Sequence, residues 1–228
     1  MNKYIKPPTV ARLVSGSEVV WDIPTSEKKI YLTFDDGPIP ELTPKILEIL
    51  EQYQIKATFF CVGDNIRKNP DILKKVLAQG HHVGNHTFNH LNGWKTPVNE
   101  YLKNVKKFNS QYHTTLLRPP YGKITPLQIR KLSPSYRIVM WSLLTYDFDY
   151  SIDGETCLDL AKNNIYNGCI VVFHDNIKAA DRVLFALPRF IEHCLANGFS
   201  FHLIANDIAP PPKIRSIFDR KLIELLYR

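Results

Sequence analysis

Seven ionisable residues could carry chemistry in this chain: Asp35 and Asp36 in TFDDG, His86 and His90 in HTFNH, Arg118 in RPPYG, Asp147 in YDF and His174 in VFH. Two histidines four positions apart can present both imidazoles on one side of a helical turn. With one carboxylate they make a two-His, one-carboxylate metal site that leaves positions open for water and substrate. The adjacent aspartates can divide the work. One member of the pair can bind metal while the other, aimed elsewhere, stays free as a base. H-x-x-x-H alone is a weak signal, because two exposed loop histidines give the same spacing, and His81 and His82 show that this chain also uses histidine loosely. Joined to TFDDG, the metal reading is much the stronger.

The elements that must position these residues alternate. Apolar, β-rich runs predict strands over 29–34, 57–62, 81–85, 114–118, 136–143, 169–173 and 199–204. Helices are predicted over 41–54, 70–80, 97–112, 125–133, 153–165 and 179–198. In the first of them Ile46, Leu47, Ile49, Leu50 and Tyr53 follow the helical period, and the second has Pro70 at its start and Gly80 at its end. Such alternation implies an α/β fold with a parallel sheet. At this length a small (β/α) barrel fits better than two domains, with an open doubly wound sheet as the competitor. All seven residues fall at the carboxyl end of a predicted strand, the face on which barrels build active sites. Scattered surface charges have no reason to choose that position repeatedly.

Composition narrows the class. A chain of 228 residues, 44% hydrophobic and 22% charged, can bury about 70% of its unfolded surface and is neither disordered, collagen-like nor coiled-coil. No apolar run approaches a membrane span, and MNKYIKPPTVARLVSG does not read as a secretory signal. Cys61, Cys157, Cys169 and Cys194 form no C-x-x-C pair, so they read as buried hydrophobes in a reducing, cytoplasmic setting. The net charge of +7 is spread thinly, without an aromatic-interleaved basic stripe, so no nucleic-acid partner is expected. Residues 1–28 read as an extension packing on the barrel, 29–205 as the barrel, and 206–228 as a Pro-rich link and an amphipathic helix. The apolar face of that helix, Ile214, Ile217, Phe218, Leu222, Leu225 and Leu226, is expected to pack on the barrel rather than touch a membrane.

In order and spacing, TFDDG (33–37), HTFNH (86–90), RPPYG (118–122), YDF (146–148) and VFH (172–174) resemble the five motifs of the NodB-homology polysaccharide deacetylases, carbohydrate esterase family 4. The resemblance spans roughly residues 29–205. It implies a distorted, TIM-like (β/α) barrel of about seven parallel strands and metal-dependent removal of N-acetyl, sometimes O-acetyl, groups from an amino-sugar polymer such as chitin-like glycan or peptidoglycan. By the same resemblance Asp36, His86 and His90 hold one divalent cation, zinc first, with cobalt, nickel or manganese as alternatives. Asp35 is then the general base and Arg118 its partner. The backbone N–H of Tyr121 holds the oxyanion, and His174, hydrogen-bonded to Asp147, protonates the departing amine.

The chain departs from the family where D-x-x-D-W is common. It reads Leu144, Thr145, Tyr146, Asp147, Phe148, and Val172 replaces the usual Leu before the last histidine. Phe148 and Val172 can still wall an apolar slot for an acetyl methyl, so the pocket's size and substrate are in question rather than the chemistry. Trp94 and Trp141 are candidates for stacking on sugars, although core packing explains Trp141 equally well. Two other functions compete. One is a deformylase or small-amide hydrolase of the same superfamily, suggested by the missing signal sequence. The other is a non-catalytic glycan-binding barrel, against which the presence of both acid/base residues counts.

Overall fold

The computed structural model describes Arg12 and residues 15–205. The expectations for 206–228 and for most of 1–14 lie outside the described residues. Nine strands occur in chain order: β1 (Val19–Val20), β2 (Lys29–Asp35), β3 (Thr58–Cys61), β4 (His82–Asn85), β5 (Leu116–Leu117), β6 (Arg137–Val139), β7 (Leu143–Leu144), β8 (Cys169–His174) and β9 (Ser200–Phe201). Between them lie α1 (Thr43–Gln52), α2 (Gly63–Lys68), α3 (Pro70–Ala78), α4 (Val98–Phe108), α5 (Pro126–Leu132), α6 (Gly154–Lys162) and α7 (Ala180–Ala196). Every pairing between these strands is parallel, as helical crossovers require.

The expected strand over 136–143 is two short ones. β6 pairs with β5 and β1, whereas β7 pairs with β8. Between them Met140 N–H donates to Val20 C=O and Ser142 N–H to Ile170 C=O. One stretch of chain thus leaves one side of the sheet and joins the other, carrying it round into the distorted barrel. Two more short strands extend the sheet. β9 pairs with the first residues of β2, and β1, unforeseen from sequence, pairs with β6. Trp21, just beyond β1, packs edge-on to Trp141. Helix α2 was also unforeseen, because GDNIRK buries little beyond Gly63 and Ile66 and carries no apolar period.

Period-2 alternation decides what each strand offers. On β2, Leu32 and Phe34 face outward into the main core with Phe59, Val171, Phe173 and, from the helices, Ile46, Leu50 and Phe190. Each such fully buried large side chain contributes about 1.5–3 kcal/mol. The alternate residues Tyr31, Thr33 and Asp35 share the inward face, as do Ile170, Val172 and His174 of β8. Tyr31 and Ile170 belong to an inner cluster with Phe60, Leu116, Val139 and Ile204. β2 and β8 therefore fill the barrel with their earlier inward residues and end on Asp35 and His174 at its mouth. Among the described residues no helix is long and apolar enough to cross a membrane.

Candidate active site

Asp35 and His174 are register partners at the ends of the neighbouring strands β2 and β8. A different counter-charge holds each. Arg118, at the end of β5 and fully buried, donates from Nη1 to Asp35 Oδ1 at 2.7 Å and to Thr33 Oγ1 at 2.8 Å. Its remaining donors reach Val139 C=O and Met140 C=O, and its guanidinium lies 4.0 Å from the Phe60 ring. Each guanidinium nitrogen thereby has a partner although the side chain is fully buried, which a lysine could not reproduce. His174 Nδ1 lies 2.7 Å from Asp147 Oδ1, and the His174 N–H donates to Asp147 Oδ2 at 2.5 Å. Burial works against the imidazolium, but Asp147, with help from Asp36 and Asp35, pushes His174 up to about 9.

Asp36, His86 and His90 come together as predicted, though not on a helix. His86 follows β4 directly, and the segment to His90 turns through left-handed residues at Thr87 (φ 60°) and His90 (φ 56°). These kinks, rather than helical spacing, bring the imidazoles to a centroid distance of 5.0 Å. The nearest ligand atoms of the three residues lie within 4.8 Å of one another. Asp36 Oδ1 faces His90 Nε2 at 3.1 Å and His86 Nε2 at 3.5 Å, yet it is buried without a hydrogen-bond partner. Such an orphaned oxygen is costly unless something completes it.

Protonation states agree with a cation there. His86 Nδ1 lies 2.8 Å from Arg118 C=O, which can only accept, so Nδ1 carries the hydrogen and Nε2 turns its lone pair to the nest. Burial pushes His86 down to about 4, keeping it neutral. Burial also opposes the charge on Asp36, but His90 and His174 outweigh it and hold that carboxyl well below the usual range. Arg118 thus serves twice, fixing Asp35 with its side chain and His86 with its carbonyl. This donor set fits a divalent metal.

The other expected residues are also placed. Tyr121 has φ 62°, and its exposed ring packs edge-on to His90 at 4.7 Å. Phe148 packs edge-on to His174 at 4.8 Å, and Val172 lies buried one inward step below that histidine. Trp141 supports the loop from beneath, because a Cβ on Gly122 would meet its ring at 2.5 Å. His81 is not loosely used. It is buried, and its Nδ1 accepts from Ala57 N–H.

Five of the six left-handed non-glycine residues among those described, Asp36, Thr87, His90, Tyr121 and Tyr146, lie in these loops; Gln54 is the sixth. Each such conformation costs about 1–3 kcal/mol and persists where the surroundings over-determine it, as functional sites do.

Several residues escaped the sequence reading. Asn176 Nδ2 donates to Asp36 Oδ2 at 2.5 Å, steadying the carboxylate whose other oxygen faces the histidines. Arg182 Nε donates to Asp147 C=O at 2.5 Å. Asp175, directly after His174, is fully buried and accepts from Thr43 Oγ1 at 2.6 Å, while its N–H donates to Asp35 C=O. Burial pushes its carboxyl up to about 8, against the Thr43 hydrogen bond and with Asp36 adding to the rise. Asp175 packs so tightly on TFDDG that a Cβ on Gly37 would sit 2.0 Å from its Oδ2. Gly37→Ala is therefore expected to destabilise the fold by about 1–3 kcal/mol, as overpacking does, read as a lowered Tm in a thermal melt.

The barrel and this mouth fit a carbohydrate deacetylase, a hydrolase of non-peptide carbon–nitrogen bonds, and the relatives of the chain bear that class out. The chain belongs to the polysaccharide deacetylase family, whose sequence model matches residues 22–134. A peptidoglycan-N-acetylglucosamine deacetylase of Bacillus cereus is 34% identical over 190 residues, covering 80% of this chain and 89% of that protein. A second protein of that name from the same organism is 36% identical over 158 residues, covering 66% of this chain, but here the chain spans 57% of the relative's length. The crystal structure of a peptidoglycan N-acetylglucosamine deacetylase superposes with a TM-score of 0.78 at 30% identity, covering 87% of this chain and 95% of that one.

Proposed function

We propose that this chain removes N-acetyl groups from the amino sugars of peptidoglycan, with Asp36, His86 and His90 holding a divalent cation, Asp35 as general base and His174 as general acid. One observation carries the reading. Asp35 and His174 stand side by side at the barrel mouth, each held by a counter-charge, next to an orphaned carboxylate oxygen that faces two imidazole nitrogens. A cation bound there would supply Lewis acidity, acidifying a water and polarising the amide carbonyl. Zinc suits the donor set, and cobalt, nickel and manganese tolerate it.

The remaining work falls to the chain's own groups. Arg118 fixes Asp35 through Oδ1, so Oδ2 is the atom that takes the proton from the attacking water. As the carbonyl carbon becomes tetrahedral, charge gathers on its oxygen. Pro119 and Pro120 have no N–H, so that of Tyr121 is the first amide donor after Arg118, on a loop that two prolines stiffen. His174, with Nδ1 engaged by Asp147, delivers its proton from Nε2 to the departing amine. Phe148 and Val172 line a slot for the acetyl methyl.

Polymer substrates are favoured over small amides. The exposed large apolar side chains among the described residues are Trp94, Tyr121, Leu127, Tyr150, Ile177 and Leu195, and all but Leu195 lie in the segment, or the first helical turn, between a strand's carboxyl end and the next helix, the side of the barrel that carries the mouth. Purified protein should release acetate from peptidoglycan or chito-oligosaccharides, lose that activity with a chelator, and recover it with zinc or cobalt. A metal-loaded protein inert on every acetylated glycan would overturn this reading.

A further inference from the structure

Trp94 is 66% exposed, yet it is not loosely attached. Its indole Nε1–H donates to Ile124 C=O at 3.2 Å, and its backbone N–H to Asn92 Oδ1 at 3.0 Å. The turn that carries it is tied to the loop after β5. Gly93 N–H donates to Lys123 C=O, and the fit is so close that a Cβ on Gly93 would meet that oxygen at 2.4 Å. Gln128, fully buried, pins both loops. Its Nε2 donates to Gly93 C=O at 3.0 Å, and its Oε1 accepts from Thr125 N–H at 2.9 Å in the capping box that starts α5.

An aromatic ring held this firmly with most of its area open is preorganised for a contact beyond the one it makes with the Lys123 ammonium. Core packing does not account for it, and the hydrogen-bonded edge leaves the apolar face as what it presents. Flat, apolar and rigid, it matches the C–H face of a pyranose. A cation stands over one face, with Lys123 Nζ 5.4 Å from the ring centroid, so the sugar stacks on the part of the indole that Lys123 leaves open. The position also fits, since Tyr121, two residues before Lys123, packs on the candidate metal ligand His90. The platform therefore continues the mouth outward on the Tyr121 side.

Resting on the deacetylase reading, we infer that Trp94 and Lys123 form a second sugar subsite, next to the reacting N-acetyl sugar, that takes a saccharide unit bearing a carboxylate. The indole stacks on the ring and the ammonium pairs with the acid. The net charge of +7 works in the same direction, raising the local concentration of an anionic glycan.

Two readouts separate this subsite from the activity. The first is direct binding, followed by tryptophan fluorescence, of a peptidoglycan disaccharide–tetrasaccharide series and of neutral chito-oligosaccharides. Trp94 is far more exposed than Trp21 and Trp141, so the wild-type signal should change on binding, and Trp94→Ala should lose that change with roughly tenfold weaker affinity. The second is acetate release. Trp94→Ala should raise KM more steeply as the glycan lengthens. Lys123→Gln should weaken use of the carboxylate-bearing glycan several-fold more than that of the neutral oligomer, and flatten its salt dependence. If Trp94→Ala binds long and short glycans as wild type does, the subsite is refuted. Equal losses on acidic and neutral glycans in Lys123→Gln overturn the assigned carboxylate. Should wild type bind the glycans through Trp94 yet release no acetate from any of them, the subsite stands and the deacetylase reading falls.

Discussion

Replacing Asp35 by Asn is expected to lower kcat for acetate release by about 10²–10⁴-fold, the usual contribution of a positioned acid or base. The amide keeps an oxygen for Arg118 Nη1 but cannot take up a proton. A second effect should accompany the first. Asp35 and Arg118 are both buried, at 3% and 0% exposure, and breaking a buried ion pair by removing one charge costs about 3–5 kcal/mol. Asn retains the hydrogen bond, so the loss should fall below that range, visible as a lower Tm with the circular dichroism spectrum unchanged. Metal content should be preserved, because Asp36, His86 and His90 are untouched. A folded, metal-loaded Asp35→Asn protein with wild-type turnover would mean that some other group takes the proton.

His174→Gln is expected to lose a comparable factor, and the pH profile distinguishes a proton donor from a structural residue. A general acid works only while protonated. With His174 pushed up to about 9, activity should hold through neutral pH and fall as pH rises through about 9. A histidine whose folded pKa exceeds its unfolded value stabilises the fold fully below about 6.5, and that stability is lost as pH climbs through the folded value. Asp147→Asn removes the largest influence raising the imidazole, so the alkaline limb of kcat should move toward the ordinary histidine range near 6.5. An alkaline limb that stays fixed in Asp147→Asn would assign the titration to another group.

What could be read beforehand was whatever follows from strand period and strand ends. Tyr31, Thr33 and Asp35 alternate inward on β2, Ile170, Val172 and His174 on β8, and both runs show in the apolar pattern of the chain. Other features depend on partners far away in sequence. Asp175 meets Thr43 across 132 positions, and Asn176 meets Asp36 across 140. Nothing local marks either contact, because each depends on how the end of β8 lies against β2 and the start of α1. The path from His86 to His90 was misjudged as a helical turn. Left-handed backbone usually announces itself through glycine, and here Thr87 and His90 adopt it without one. The split of 136–143 was hidden too, since an unbroken apolar run looks the same whether it keeps its neighbours or exchanges them midway.

That exchange of neighbours ties the two proton-handling residues together. The stretch from Arg137 to Leu144 offers Val139 C=O and Met140 C=O to the guanidinium that steadies Asp35, and three residues later it delivers Asp147 to His174. The length of this one crossing segment thus sets the spacing between proton acceptor and proton donor, and lengthening it by one residue would throw both out of alignment at once. Variation in this enzyme should therefore gather in the rim loops, leaving the length of that crossing untouched.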